Sequence, residues 1–348
     1  MKVIFVFKNN KQDPCLQALK RWLKKLLNQI VYFEFTPLER GRFNCQTINE
    51  RLNFILNKEK FEILIDWDGQ LNIEEIKLLR SKRIIYFRYL SGFTSLSSGH
   101  TTDQKKLLDL LRLTDFYMVS EATHLDLLRG EGVNAIKSPF FADPTTYRPI
   151  KCQSNVFDFF FVGAVNSHWA SNRKDFLERL SDNYRTLVVS NISDKAKKTL
   201  SLPKIQYEPA VNFLQNNSSI LCGSDLLPSV EPYNLRISNC VHKYDLSYTV
   251  RARTFTSLAS RRCYIVEGHS EIENLFEPNH EILTWRTYDE LDEIADKYLN
   301  DKSKLDSIAH KGYQAFLSRH TVFHRLASIE SLIGRKIFNN LSKYVANL

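Results

Sequence analysis

With 348 residues, 43% of them hydrophobic and 25% charged, the chain carries enough apolar side chain for a globular protein of two domains, each with its own core. A formal net charge of +9 asks for an anionic partner, whether nucleotide diphosphate, lipid headgroup or nucleic acid, and does not choose among them. No apolar run reaches the roughly 18 residues of a membrane span, and the start MKVIFVFKNN reads as a strand followed by charge, not as the apolar region of a signal peptide, so a soluble cytoplasmic protein is expected.

Residues 2–7, KVIFVF, form the continuous apolar run that a parallel strand buried on both faces needs. Pro14 opens a helix predicted over 14–30. Leu16, Leu19, Leu23, Leu26, Leu27 and Ile30 line one face, while Lys20, Arg21, Lys24 and Lys25 crowd the other. Such a helix either packs on a sheet with its basic face solvated or lies on an anionic membrane surface, which would make the protein peripheral at the inner face of the membrane. Strands at 31–35, 61–66 and 83–87 then alternate with helices near 47–57 and 73–80, which implies parallel strands joined by right-handed crossovers. Asp66 and Asp68, with Trp67 and Gly69, stand at a strand end, where open α/β sheets bind ligands. These carboxylates are candidate catalytic groups that would act on or orient an acceptor hydroxyl, or else they cap the next helix. His100, in the Ser/Gly/Thr-rich loop 90–102, is a candidate base or hydrogen-bond donor, with a solvated loop histidine as the alternative.

A helix near 103–112, a strand at 115–120 and a helix ending near Gly130 complete the first half. Pro139, Pro144 and Pro149 suit a stiff interdomain linker. The run VFDFFFVGAV opens the second half, and strands at 185–190, 204–209, 218–223 and 233–238 predict a second doubly wound sheet. Arg236 lies in the last of these among apolar neighbours, a position that calls for an anion, either a structural partner or a diphosphate. Between Arg251 and Phe276 the period changes. Phe255, Leu258 and Ala259 recur at helical spacing, Cys263–Val266 reads as a buried strand, Glu267 to Ser270 as a polar turn, and Glu271–Phe276 as a short helix. A helix start bearing Arg251 and Arg253, with Arg236 if it folds alongside, offers backbone N–H groups and guanidinium forks to a diphosphate. A strand at 281–285 and two or three helices follow.

The six cysteines, Cys15, Cys45, Cys152, Cys222, Cys240 and Cys263, include no C-x-x-C pair and read as reduced core thiols. Walker, H-E-x-x-H, G-x-S-x-G and zinc-ligand patterns are absent from the sequence, so the usual hydrolytic and phosphotransfer chemistries lack support and no metal site is predicted.

Arg253, Phe255, Leu258, Ala259, the strand through Val266 and Leu275–Phe276 together resemble the late segment R-x-F-E-x-L-A-x-G, strand, turn, L-F of CgeB-like (spore maturation protein type) glycosyltransferases of the GT-B fold. The resemblance extends to Ala142, Asp143, Pro144, Tyr147 and Pro149, to Gly163, and to the closing His320, Thr321, Phe323 and Arg325. It breaks at two positions: Thr256 replaces a glutamate that in the family grips the donor ribose, and Arg261 replaces a glycine.

The resemblance implies two Rossmann-like doubly wound parallel-sheet domains facing across a cleft. Residues 1–150 would take the acceptor side and 151–320 the nucleotide-sugar side, and a helix within 321–348 would pack back toward the first domain. It also implies a hexosyl or related transferase that moves a sugar from a nucleotide-diphosphate sugar, with retention and with no metal or other cofactor, to an acceptor that is a glycan, a protein, a lipid-linked molecule or a nucleic acid. Donor contacts are expected at Gly163, Asn166, His168, Arg173, Arg236, Arg251, Arg253, Thr254, Thr256, Glu267 and Gly268. Two other readings stay open, a fold-keeping protein that binds sugar nucleotides without turnover and a binder of polyanions or membrane surfaces.

Overall fold

The computed structural model describes residues 2–8, 13–35, 45–67, 69, 71–89, 104–120, 122–149, 157–162, 171–189, 206–208, 218–222, 233–237, 240–244 and 250–348. The chain divides into two compact units. Unit 1 comprises residues 1–140, 236–240 and 322–348, and unit 2 comprises 141–235 and 241–321.

Unit 1 is built on β1 (Val3–Lys8), β2 (Ile30–Phe35), β3 (Ile63–Trp67), β4 (Ile85–Tyr89), β5 (Phe116–Val119) and β6 (Ala135–Lys137). They form one sheet in the order β2-β1-β3-β4-β5-β6, every neighbouring pair parallel. Parallel neighbours require crossovers, supplied by α1 (Pro14–Leu26), α2 (Cys45–Lys58), α3 (Ile73–Ser81), α4 (Gln104–Arg112) and α5 (Ala122–Gly130).

Local chemistry sets the helix ends. Asp13 caps α1, its carboxylate accepting from the Cys15 and Leu16 N–H groups at 2.9 and 3.1 Å, and Pro14 occupies the first turn, where no N–H is missed. The helix stops at Leu26, short of the predicted residue 30, because Ile30 is already paired with Val3 as the first residue of β2. Asn72 and Glu75 form a reciprocal capping box at α3. The chain closes unit 1 with α11 (Val322–Ile333) and α12 (Leu341–Ala346). Trp22 of α1 meets the rings of Phe323 and Tyr344 at centroid distances of 4.5 and 4.9 Å. Arg325, deeply buried, donates to the Pro139 and Phe140 carbonyls at 2.7 and 3.1 Å, and burial lowers its pKa to about 10. The six-residue α12 has too short a period to be read from sequence.

Unit 2 repeats the architecture with β7 (Phe157–Val162), β8 (Thr186–Val189), β9 (Gln206–Glu208), β10 (Ser218–Cys222), β13 (Cys263–Glu267) and β14 (Leu283–Trp285). The order is β14-β13-β10-β7-β8-β9, again all parallel. The chain runs outward from β7 through β8 and β9, then returns to the other side of β7 with β10. The sheet therefore has its switch point between β7 and β10, where doubly wound folds bind ligands.

The predicted strand at 233–238 does not join this sheet. β11 (Tyr233–Ile237) forms a two-stranded sheet with β12 (Cys240–Tyr244), which the sequence reading missed. Its alternation of Tyr233, Leu235 and Ile237 with Asn234 and Arg236 is the pattern of a half-buried strand, whereas β7 ends in the apolar run Phe159–Val162. The remaining helices of unit 2 are α6 (Ser171–Asn183), α7 (Ala252–Ala259), α8 (Ser270–Glu273), α9 (Tyr288–Leu299) and α10 (Lys302–Arg319).

The core of unit 2 gathers Phe159, Phe161, Phe176, Leu180, Ile265 and Trp285, with Phe176 stacked on Trp285 at 5.5 Å. Cys15 and Cys263 are buried and neither is in a disulfide, and burial raises the Cys263 pKa far above its ordinary value. Cys263 is a packing residue, since a thiol that stays protonated is a poor nucleophile.

Candidate functional site

The site is assembled in unit 2 around the amino end of α7. Arg251 is the N-cap residue, with extended backbone and no side-chain capping bond, so no side chain of the helix's own covers its first N–H groups. Among those groups the Thr254 N–H is used, donating to the Arg251 carbonyl at 3.0 Å. Phe255, Leu258 and Ala259 are fully buried and fix the helix against the sheet. Beneath them Gly312 of α10 permits a close approach: a Cβ there would meet the Glu281 carbonyl oxygen at 2.3 Å and Leu258 Cδ2 at 2.8 Å.

Arg253, in the first turn of α7, is half-buried and reaches to the carboxyl end of β7. Its Nη1 donates to the Val162 carbonyl at 3.0 Å, and its guanidinium lies 5.4 Å from the centre of the Phe161 ring. The cation is thereby held at the end of the strand that borders the switch point. One nitrogen is committed to a neutral carbonyl, so the positive charge itself is not cancelled by that bond. Thr254 is fully buried, and its hydroxyl oxygen has no hydrogen-bond partner among the described residues. Such a donor is a cost to the fold that a ligand oxygen would relieve.

Thr256 is also buried, and its hydroxyl donates to the Arg253 carbonyl one turn back at 3.1 Å. Its short side chain serves the helix. Glu267 is not in a turn, as the sequence reading had it: it is the last residue of β13, buried, and in register with Trp285 of β14, whose pairing carries the strand one residue further. Gly268 follows, its N–H donating to the Trp285 carbonyl at 2.8 Å. Thus Arg251, Arg253, Thr254 and Thr256 share the start of α7, and Glu267 and Gly268 lie at the carboxyl end of β13. Arg173 falls in the first turn of α6 and Arg236 in β11. Gly163, Asn166, His168, Asp68 and His100 lie outside the described residues.

The predicted carboxylate Asp66, in unit 1, is fully buried. It accepts from the Leu71 N–H at 3.1 Å and from the Tyr86 hydroxyl at 2.7 Å. Arg88 completes the cluster, donating to the Gly69 and Leu71 carbonyls at 2.9 and 3.2 Å. Burial first, and then the Asp66 charge, push the Tyr86 hydroxyl well above its ordinary pKa. Burial opposes the Arg88 charge, but Tyr86 and Asp66 outweigh it and the pKa rises. Asp66 therefore ties the 66–71 turn to β4. It does not cap α3, which is Asn72's task, and we assign it no chemical step. Sequence reasoning missed Arg88 because an arginine in an apolar strand gives no hint of which turn folds over it.

Among the described residues no cluster of metal-ligating side chains occurs and no helix is long and apolar enough to cross a membrane. Comparison with known proteins gives a match of residues 173–331 to the family described as "Glycosyl transferase-like". No curated protein sequence matches the chain. Among solved structures, HepE from Anabaena in complex with UDP superposes with a TM-score of 0.67 at 11% identity, covering 96% of this chain and 100% of that one. Sucrose-phosphate synthase from Thermosynechococcus elongatus gives 0.63 at 9% identity, covering 96% and 98%. A glycosyltransferase from Rickettsia africae gives 0.64 at 10% identity, covering 96% and 99%. The chain has the GT-B fold.

Proposed function

We propose that the protein is a glycosyltransferase of the CgeB-like kind that takes a hexosyl or related group from a nucleoside-diphosphate sugar, with the donor diphosphate seated on the amino end of α7. The observation that carries this reading is the pairing of that helix end, whose N-cap residue makes no side-chain capping bond, with Arg253 fastened at the carboxyl end of β7. Helix N–H groups and a guanidinium fork are complementary to phosphate oxygens, and the Thr254 hydroxyl, without a partner among the described residues, adds a third donor. The match of residues 173–331 to a glycosyl transferase-like family and the crystallised complexes of HepE with UDP and with UDP-glucose support the same assignment.

In transfer, the bond from the anomeric carbon to the diphosphate breaks and a bond to the acceptor oxygen forms, so negative charge grows on the departing diphosphate. Arg251, Arg253 and the α7 amides stabilise that charge where it develops. Arg236 joins them in this reading, and the transfer retains anomeric configuration and proceeds without a metal.

The reading is tested by titrating UDP and UDP-glucose into the wild type and Arg253→Ala, with thermal unfolding and donor turnover as readouts. A ligand that binds only the folded state raises the midpoint in wild type. In Arg253→Ala the shift shrinks, affinity falls by about tenfold or more, as the loss of one charge-assisted bond predicts, and turnover is lost. Unchanged affinity in a destabilised variant would make Arg253 a structural residue. Thr256 supports a second reading: it is a buried side chain turned to its own helix where the family has a carboxylate, as expected of a protein that keeps nucleotide binding without transfer. Binding with no turnover of any donor would select that reading.

A further inference from the structure

Two stretches of unit 1 carry cations and no acidic side chain of their own, and among these cations Arg335 is paired to Glu62. No acidic residue occurs between Pro14 and Phe33 or between Arg335 and Leu348, two stretches separated by some three hundred positions in sequence, and the fold places them together. The Asn339 N–H donates to the Leu26 carbonyl at 2.9 Å, the Asn339 and Asn28 side chains bond at 2.8 Å, and the Lys25 ammonium stands 5.1 Å from the centre of the Tyr344 ring. Lys24, Lys25, Lys336 and Lys343 are exposed, and among the described residues none of the four has an acidic partner. Lys20 and Arg21 lie on the same helix.

We propose that this face, formed by the polar side of α1 and the closing segment 335–348, is a docking surface for an anionic lipid bilayer. The occupant follows from what the face offers and lacks. Its rings are engaged with one another: Trp22 is buried between Phe323 and Tyr344, and the half-buried Tyr344 stacks on Phe323, so among the described residues the face presents no row of open rings for the unstacked bases of single-stranded nucleic acid. Its exposed cations are mostly lysines, point charges on flexible stems, which suit a fluid anionic surface better than the bidentate recognition of base edges. Polybasic segments gain roughly 1 kcal/mol per cation at such a surface. The proposal does not rest on glycosyl transfer, because the surface is remote in sequence from the α7 site and its binding is read without any donor.

The test is co-sedimentation of the full-length protein with phosphatidylcholine vesicles and with mixed phosphatidylcholine and phosphatidylglycerol vesicles. Binding is expected only to the anionic vesicles, weakening steeply as salt rises. The triple variant Lys24→Gln/Lys25→Gln/Lys343→Gln should lose roughly 100-fold in partition, about fivefold per cation removed, with its circular dichroism and thermal midpoint retained. A control of equal charge change on unit 2, Lys297→Gln/Lys302→Gln/Lys311→Gln, should lose little. An equal loss in both variants, equal binding to neutral vesicles, or preferential capture by single-stranded RNA in competition with vesicles would each overturn the proposal.

Discussion

Arg261 sits one residue past the C-cap of α7 with φ at 52°, the left-handed backbone that glycine adopts without steric cost. The residue is exposed, and the family it resembles has glycine there. Arginine occupies this conformation here, held by the Arg261 N–H donating to the Leu258 carbonyl at 2.9 Å and by the start of β13 two residues on. Arg261→Gly should therefore stabilise the protein by about 1 kcal/mol, the relief of the Cβ clash outweighing the extra freedom glycine brings to the unfolded chain. Chemical denaturation with an unchanged slope and a raised midpoint is the expected signature. A lowered midpoint would mean that the arginine side chain holds something of greater worth than the strain it carries.

At the scale of the element, α7 is positioned from below by α10, and Gly312 marks the point of contact. Alanine normally improves a helix interior over glycine by about 1 kcal/mol. Here its Cβ would lie 2.3 Å from the Glu281 carbonyl oxygen and 2.8 Å from Leu258, and a backbone atom cannot move aside as a side-chain tip can. Overpacking of this kind costs about 1–3 kcal/mol, with a backbone clash at the upper end, so Gly312→Ala should be net destabilising by about 1–2 kcal/mol. It should also weaken UDP binding by displacing α7, which titration of the folded variant would show. Unchanged stability would mean that α10 shifts freely and does not set the height of the site.

The same elements show what the sequence could and could not reveal. Apolar runs such as Val3–Phe7 and Phe159–Val162, alternating with helical periods, announced two parallel sheets, and Arg253 was singled out by its place before Phe255 and Leu258. Its partner was not legible. The bond from Arg253 to the Val162 carbonyl spans 91 positions and uses a backbone oxygen, which every residue carries. Asp66 shows a related limit: a carboxylate at a strand end gives no hint of the Tyr86 hydroxyl and Arg88 guanidinium that fold around it. Burial is a property of neighbours, and local patterns report it only where the period is long and unbroken.

For the whole molecule, the chain forms two cores, and the last 27 residues return to the first of them. Phe323, at the start of that return, is buried, packed against Trp22 at 4.5 Å and stacked on Tyr344 at 5.4 Å. Phe323→Ala should cost about 3–5 kcal/mol through lost burial and the cavity left behind, a large share of the roughly 5–15 kcal/mol of a typical domain. Because the core of unit 2, around Phe159, Phe176 and Trp285, contains none of these side chains, the loss should be confined to unit 1. Hydrogen exchange resolved along the chain would show faster exchange in β1 to β6 with protection retained in β7, β10 and β13. UDP should still raise the stability of unit 2 in that variant, since the proposed diphosphate contacts at the start of α7 and the end of β7 belong to unit 2. Equal acceleration across both sheets would mean that the two units unfold as one cooperative body, and the nucleotide would then protect β1 to β6 as strongly as β7.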